Sequence, residues 1–415
     1  MNWIKKINFF SACLFLLIQG LLIRSIPLKG PYAVFFYFYE VALIFAFFAL
    51  FKKILLTFSN SLILLLTFNL FWTPLSGSLK TLQPNYFKKI RVVGEVMPGF
   101  EGINTISTDH LGFRHSNNVN YEDSSKFRVF TIGGSTTEEI YVDDKETWSA
   151  LLQNHLYDAG LKHAEVINTG VSGIRAEHYF ETQNYVSKMY PDLLIFLVGA
   201  NDWNWQIKTM LGPQKIITRG NDSAWFPKLY LTPLYLAILK LKNFISTRSS
   251  LNDHKIEVKN DRGNYYSRQN DSLNRSIKVN MEFETVDELY IKFMSMIAED
   301  CKNSSYNCMF MTQPNAYKKN ISLGLKKRLW MTPPNEDYTL VFSSLINIST
   351  LYNDWLLDFG KSKEISVCDL NKEIQPSTKY FYDDVHFNEQ GSVKVAALVA
   401  GCVKNSFPKF FNTHE

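Results

Sequence analysis

The chain has 415 residues, of which 46% are hydrophobic and 20% are charged, with 32 Phe, 21 Tyr and 8 Trp. This composition excludes a disordered protein, and the length allows one large domain or two of ordinary size. Residues 1–80 hold seven Lys and Arg against one Glu, so the net charge of +5 leaves 37 basic and 38 acidic residues for the remainder. A neutral remainder lacks the basic surface that binds nucleic acid, and we expect no nucleic-acid partner.

Three apolar runs open the chain, at residues 7–23, 32–51 and 54–72. Each has about the length that a helix needs to cross a hydrocarbon core of roughly 30 Å. No small-residue cleavage site follows the first run, which argues against a signal peptide. Residues 1–79 are therefore predicted to form a retained membrane anchor. Its number of transmembrane helices is two or three, because only Lys52-Lys53 separates the second run from the third.

The charges that flank these runs predict an orientation. The positive-inside rule places Lys5, Lys6, Lys52 and Lys53 on the cytoplasmic side. Three crossings then put the rest of the chain outside the cytoplasmic membrane of a bacterium. The bias is shallow, because Arg24 and other basic residues would also lie outside.

Beyond residue 80, short apolar stretches alternate with amphipathic segments of helical length. Stretches rich in β-branched and aromatic residues predict buried parallel strands at 127–132, 164–168, 193–198, 308–312 and 365–369. Apolar residues at three- and four-residue spacing predict helices at 146–156, 175–189, 286–300, 338–359 and 389–403. This alternation predicts a three-layer α/β/α sandwich with a five-stranded parallel sheet over residues 127–407.

Two regions lie outside that alternation. Residues 80–126 are a lead-in segment with turn signals at Pro98-Gly99 and Leu111-Gly112. Residues 205–283 follow the third predicted strand and show no clear periodicity. An insertion of this length is usually a lid, a binding loop or a disordered excursion.

The five cysteines, at positions 13, 301, 308, 368 and 402, include no C-x-x-C pair and no Cys/His cluster at zinc spacing. We therefore expect no metal site. The last four would permit disulfides in an oxidising compartment, and Cys301 and Cys308 are near enough in sequence for a local bridge. Free thiols packed as small apolar groups are the alternative.

Chemically useful residues follow the predicted strands, where parallel sheets place their sites. Ser135 follows the first strand, Gly173 ends the turn after the second, Asn201 follows the third, and Asp383 and His386 come after the fifth. A serine hydroxyl becomes nucleophilic when an imidazole accepts its proton and a carboxylate orients that imidazole. The Ser135 N–H, the Gly173 N–H and the Asn201 amide would surround the oxyanion formed by attack on a carbonyl.

Taken in order, these segments are GGST around Ser135, GVSG ending at Gly173, GAND with Asn201, and DDVH with Asp383 and His386. They resemble the four blocks of the SGNH (GDSL-type) hydrolase superfamily. The resemblance covers roughly residues 100–405 and implies a flavodoxin-like sandwich. It also implies that Ser135 is the nucleophile, that Gly173 and Asn201 complete the oxyanion hole, and that Asp383 and His386 complete the triad.

Three details qualify the resemblance. Gly134 stands where the GDS motif has Asp, which leaves the role of Ser135 unchanged because that aspartate does not attack substrate. Thr108–Arg114 resembles the N-x-x-G-F-R segment of many extracytoplasmic members. Asp384 is the alternative triad carboxylate, although its position two residues before His386 suits the family geometry less well than that of Asp383.

Three further residues are candidate substrate contacts. Trp203 and Trp205 follow Asn201, where their rings would stack on a sugar, clasp an acyl chain, or pack the insertion onto the domain. Arg175, two residues after Gly173, would meet an anionic substrate or be an ordinary solvated helix residue.

These features together predict a membrane-anchored extracytoplasmic serine esterase, with neither a metal nor an organic cofactor. The expected substrate is an ester, an O-acetyl group on a cell-surface or exported glycan. The alternatives are a glycan O-acetyltransferase that uses the same acyl-serine, a lipid esterase, and a non-catalytic glycan-binding protein on the same scaffold.

Overall fold

The structure is a computed structural model that describes residues 79–411 apart from 93, 95–96, 115–118, 217–256, 260–276 and 330–337. The three apolar runs of the predicted anchor lie outside the described residues. Within the described part of the chain, no helix combines the length and the apolar character needed to cross a bilayer.

The elements alternate along the chain. The strands are β1 (Phe87–Val92), β2 (Asn104–Ser107), β3 (Phe127–Gly133), β4 (Ala164–Asn168), β5 (Leu193–Leu197), β6 (Glu257–Lys259), β7 (Ile277–Val279), β8 (Asn307–Met311), β9 (Tyr338–Leu340) and β10 (Ser366–Cys368). The helices are α1 (Ser135–Glu138), α2 (Trp148–Asp158), α3 (Ala176–Val186), α4 (Ala200–Ile216), α5 (Glu288–Lys302), α6 (Leu323–Lys326), α7 (Phe342–Lys363), α8 (Leu370–Glu373) and α9 (Glu389–Ser406), followed by a 3-10 turn at Pro408–Phe411.

The central sheet has five parallel strands in the order β10-β8-β5-β3-β4. Each strand lies within one residue of its predicted bounds, so the predicted α/β fold with a five-stranded parallel sheet is confirmed. Every residue of β5 is buried, which requires cover on both faces of the sheet. Helix α2 packs with α9, α3 packs with α5, and α4 contacts α7.

One predicted helix start is wrong, and one helix was not predicted. The helix predicted at 338–359 begins at Phe342, because the buried residues Tyr338–Leu340 form β9 and pair in parallel with β7. Helix α4 (Ala200–Ile216) was not predicted, and it extends into the predicted insertion, which starts at residue 205. The buried residues Trp203, Ile207 and Leu211 are spaced four apart and form one face of that helix.

The lead-in segment forms a second, small sheet in the order β2-β1-β6. Strand β6 belongs to the predicted insertion, so this part of the insertion returns to the lead-in and pairs with β1 in parallel. A small apolar cluster that includes Ile90, Phe100 and Ile106 from the lead-in also contains Tyr382, which precedes the DDVH motif. The lead-in therefore packs beside the motif that carries His386.

Two disulfides join the four cysteines of the described residues. Cys301 pairs with Cys308, with Cα atoms 6.0 Å apart, and connects α5 to β8. Cys368 pairs with Cys402, with Cα atoms 5.7 Å apart, and connects β10 to α9. Of the two alternatives left open by the sequence, the structure contains the disulfides and not the free thiols.

Candidate active site

A tight turn from β3 into α1 presents Ser135. A Cβ atom on Gly133 would lie 2.2 Å from Thr137 Oγ1 and 2.8 Å from the Leu197 carbonyl oxygen, so a side chain has no room there. A Cβ atom on Gly134 would lie 2.5 Å from Asn201 Nδ2. The two glycines therefore allow the strand end and the Asn201 amide to approach the backbone on which Ser135 stands.

Ser135, His386 and Asp383 form a continuous chain of hydrogen bonds. The His386 Nε2 atom is 2.6 Å from Ser135 Oγ, and His386 Nδ1 is 2.8 Å from Asp383 Oδ2. Asp383 is buried, and its Oδ1 accepts the backbone N–H groups of Val385 at 3.0 Å and of His386 at 2.9 Å. This turn aims the Asp383 carboxylate at the imidazole.

Asp384 is directed elsewhere. Its Oδ1 accepts the Tyr317 hydroxyl at 2.7 Å, and its backbone carbonyl accepts the N–H of Ala316. Of the two candidate carboxylates in the DDVH motif, the structure therefore places only Asp383 on His386 Nδ1.

The protonation of His386 reflects these charges. Burial lowers the pKa of His386, but the charge and hydrogen bond of Asp383, together with the charges of Asp384 and Glu138, outweigh burial and raise it above its ordinary value of 6.5. A raised pKa makes the neutral imidazole a stronger proton acceptor.

The predicted oxyanion donors lie on neighbouring segments. Asn201 Nδ2 donates to the Ile174 carbonyl at 2.8 Å, so the Asn201 side chain contacts the residue that follows Gly173. The same carbonyl accepts the Tyr179 hydroxyl at 3.0 Å. Gly173 has a φ of +79°, a conformation that favours glycine. The structure therefore brings Gly173 and Asn201 together, and Asn201 also lies against Gly134.

The two tryptophans occupy different environments. Trp203 is 1% exposed and packs edge-on against Tyr352 in the core, so the predicted substrate contact at Trp203 is wrong. Trp205 is 39% exposed, and the Arg175 guanidinium lies 3.9 Å from the centroid of its ring. Arg175 also pairs with Glu177 at 2.5 Å. These two contacts fix the Arg175 side chain near Gly173, so it is not freely solvated.

Arg114 is a buried residue whose function the sequence did not indicate. Its guanidinium donates to the carbonyls of Glu138 and Glu139, each at 2.5 Å, and to that of Val142. Its Nε also pairs with Asp144 at 3.0 Å. Arg114 thus binds three backbone carbonyls at and just after the end of α1 and holds the helix that carries Ser135. Its place in the G-F-R segment is the sequence signal that could have identified it.

Glu138 and Glu139 are two further buried carboxylates that the sequence did not indicate, because Glu is usually exposed. Glu138 Oε2 accepts the N–H of Ser172 at 2.5 Å. Glu139 accepts the Trp148 N–H at 2.6 Å and the Ser392 hydroxyl at 2.5 Å. Burial raises the pKa of Glu139 to about 8, although these hydrogen bonds and Arg114 partly oppose the shift. Within the described ranges, no group of three or more His, Cys, Asp or Glu side chains is arranged to hold a metal ion.

The chain is similar to known proteins of one family. It matches the model of the GDSL-like lipase/acylhydrolase family over residues 129–399, which includes Ser135, Gly173, Asn201, Asp383 and His386. No curated protein matches the chain.

Solved structures show a distant likeness. An acetyl xylan esterase is 14% identical, with a TM-score of 0.36 and coverage of 67% of this chain and 100% of that one. A GDSL-like lipase from Bacteroides thetaiotaomicron is 13% identical, with a TM-score of 0.34 and coverage of 70% and 93%. A carbohydrate acetylesterase family member from Sinorhizobium meliloti is 12% identical, with a TM-score of 0.33 and coverage of 68% and 99%. The family match spans well over half of the chain, and the protein belongs to the GDSL-like lipase/acylhydrolase family.

Proposed function

We propose that the protein is a membrane-anchored serine esterase that removes an O-acetyl group from a cell-surface or exported glycan. One observation carries the proposed reaction: His386 lies within hydrogen-bond distance of both Ser135 and Asp383 in a chain that belongs to an acylhydrolase family. Nucleophile, base and orienting carboxylate are the three groups that acyl transfer through serine requires.

In the proposed mechanism, His386 Nε2 accepts the proton of Ser135 as Oγ attacks the ester carbonyl. The Ser135 N–H, the Gly173 N–H and the Asn201 amide donate to the resulting oxyanion. The tetrahedral intermediate collapses to an acyl-serine, and His386 gives its proton to the departing alcohol oxygen. Water, deprotonated by His386, then attacks the acyl-serine. The bond from the acyl carbon to Ser135 Oγ breaks, His386 returns the proton to Oγ, and the acid is released.

Trp205 supports a glycan as the alcohol part of the substrate. It lies four residues, about one helical turn, after Asn201, and its indole is partly exposed. Contact with Arg175 on one face holds the indole in place. An aromatic surface of this kind suits the C–H face of a sugar ring.

The cysteines support a location outside the cytoplasm. Each of the two disulfides joins separate elements of the catalytic domain, and such bonds persist mainly in oxidising compartments. The predicted N-terminal anchor, with its basic flanks, is consistent with that placement. A topology reporter fused after residue 82 of the chain should be active only outside the cytoplasm, and activity only inside would refute the placement.

The nucleophile is tested with a fluorophosphonate probe on the full-length protein. We expect Ser135 to be labelled, and Ser135→Ala and His386→Ala to abolish both labelling and hydrolysis of an acetyl ester. Ser125→Ala, which alters an exposed turn serine, is the control and should behave as wild type. Persistent labelling of Ser135→Ala would refute the assignment. Acetate release from an acetylated glycan supports the esterase, whereas acetyl transfer to an added acceptor identifies a transferase.

The pH profile tests the role of His386. Catalysis needs the neutral imidazole, and the pKa of His386 is raised above 6.5. We therefore expect kcat/KM to fall as the pH drops through a value above 6.5. Asp383→Asn should lower kcat by about 10³–10⁴-fold, because the imidazole loses its orienting partner. An acid limb below pH 6, or an Asp383→Asn variant of nearly full activity, would contradict this role.

A further inference from the structure

Glu138 connects the helix that carries Ser135 to the loop that carries Gly173. It is the last residue of α1, three positions after Ser135, and is 5% exposed. Its Oε2 accepts the N–H of Ser172, the residue before Gly173, at 2.5 Å. Burial of a carboxylate is unfavourable without strong partners, so this contact calls for a functional explanation.

The loop before Gly173 lies closely against the end of α1. Asn168 Nδ2 donates to the Thr137 carbonyl at 2.6 Å, and the Val171 N–H donates to the Gly133 carbonyl at 3.1 Å. A Cβ atom on Gly170 would lie 2.3 Å from the Glu138 nitrogen, so glycine permits this approach. The bond from Ser172 to Glu138 is the final link between loop and helix before Gly173.

The segment after Gly173 is held from the other side. The Ile174 carbonyl accepts Asn201 Nδ2 at 2.8 Å, and the Ala176 N–H donates to Asp202 Oδ1 at 3.0 Å. Gly173 itself has no neighbouring atom within 4 Å of the position that a Cβ would occupy. The hydrogen bonds of the flanking residues on both sides therefore bear directly on the direction of the Gly173 N–H.

We propose that Glu138 is a positioning residue whose carboxylate oxygen fixes the Ser172–Gly173 backbone so that the Gly173 N–H faces the oxyanion. This role rests on the function proposed above. It requires a hydrogen-bond acceptor at the reach of a Glu side chain and does not require the negative charge. A small displacement of an oxyanion donor costs catalysis far more than it costs binding.

Three substitutions distinguish the effect of the length of the Glu138 side chain from the effect of its negative charge. Glu138→Gln keeps an acceptor at the same reach and removes the charge, whereas Glu138→Asp keeps the charge and is one methylene too short. Glu138→Ala removes both. For hydrolysis of an acetyl ester by the full-length protein, at the plateau of each variant's pH profile, we expect Glu138→Gln to retain kcat within about threefold. Glu138→Asp and Glu138→Ala should lose about tenfold or more in kcat, with KM changed less than about twofold.

The matched control is Glu139→Gln. Glu139 is the adjacent buried carboxylate, and its partners, Trp148 in α2 and Ser392 in α9, do not belong to the Gly173 loop. This variant should keep kcat within about threefold, and thermal unfolding of every variant will show which are folded. If Glu138→Ala does not fold, the Asp and Gln variants decide the question.

Two results would overturn the role of Glu138: a folded Glu138→Asp variant with wild-type kcat, or a Glu138→Gln variant as impaired as Glu138→Asp. Either result leaves the proposed function intact if Ser135→Ala is inactive. Failure of the proposed function is distinguished by an active Ser135→Ala variant, whatever the Glu138 variants do.

Discussion

Asp202 is a buried carboxylate that follows the predicted oxyanion residue Asn201. Its Oδ1 accepts the N–H of Ala176 at 3.0 Å, while its Oδ2 has no hydrogen-bond partner among the described residues. Burial raises the pKa of Asp202 to about 7, although the Ala176 N–H and the Arg175 charge partly oppose the shift. The shape of the Asp202 side chain and its Oδ1 hydrogen bond thus stabilise the fold, whereas its buried negative charge destabilises it because few groups offset that charge.

Asp202→Asn should change the pH dependence of stability. The folded-state pKa of about 7 lies above the ordinary 3.8, so the folded protein keeps a proton that the unfolded chain loses. The free energy of unfolding of the wild type should therefore fall as the pH rises from about 4 to 7. The Asn variant lacks this titration and keeps an acceptor for Ala176.

Urea denaturation at pH 5 and pH 8 measures the effect. The free energy of unfolding of Asp202→Asn, taken relative to that of the wild type, should be larger at pH 8 than at pH 5 by on the order of 1–4 kcal/mol. Glu139, whose pKa is also raised, should leave a residual pH dependence in the variant. If the free energies of unfolding of variant and wild type differ by the same amount at both pH values, Asp202 is not buried in its protonated form.

At the scale of elements, Asn388 joins three segments at the start of α9. Its Oδ1 caps α9 by accepting the Gly391 N–H at 3.0 Å. Its Nδ2 donates to the Pro98 carbonyl of the lead-in at 2.9 Å and to the Thr378 carbonyl at 3.1 Å. Because Asn388 lies two residues after His386, the helix cap and the lead-in both restrain the catalytic loop.

Asn388→Ala should therefore lower both stability and activity. Loss of the cap and of two partly buried hydrogen bonds should lower the free energy of unfolding by about 2–4 kcal/mol. We expect kcat to fall as well, because the His386 loop loses its restraint. Ser322→Ala, which removes the cap of α6 at Leu325, is the control and should lower stability by about 1 kcal/mol without changing kcat. Equal kcat values for the two variants would show that the Asn388 contacts do not restrain His386.

At the scale of the whole molecule, the disulfide between Cys368 and Cys402 secures the edge of the sheet. Strand β10 has three residues and lies at one end of the strand order, where β8 is its one neighbour among the described strands. The disulfide attaches it to α9, which also packs on α2. A short edge strand is thereby tied to a long helix.

The two disulfides should contribute unequally to stability. They close segments with sequence separations of 34 and 7 residues, and a longer loop loses more entropy in the unfolded state when it is closed. Replacing both Cys368 and Cys402 by Ala should lower the free energy of unfolding by about 4 kcal/mol, against about 2 kcal/mol for Cys301 and Cys308. Urea denaturation without reductant measures both, and the reverse order would contradict the loop-entropy explanation.

The strands of the central sheet were predictable because parallel strands buried on both faces are continuous apolar runs, as in Leu193–Leu197. Helix α4 was missed although Trp203, Ile207 and Leu211 have helical spacing, because the polar residues between them obscured the pattern. The strand Tyr338–Leu340 was merged with α7 because its apolar residues continue the helical spacing and only its pairing with β7 distinguishes it. The predicted anchor, the domain boundaries and the catalytic roles stay predictions.

The sequence by itself determined the strand positions, the order of the motifs and the kinds of side chain at the strand ends, because these depend on neighbouring residues. Only the tertiary structure decided that Asp383 and not Asp384 meets His386, that Trp203 is core, and that Glu138 holds Ser172. These contacts depend on side-chain direction and on segments far apart in the chain, as Ser135 and His386 are at a separation of 251 residues. Local periodicity carries no information about such directions, and packing of the complete fold selects them.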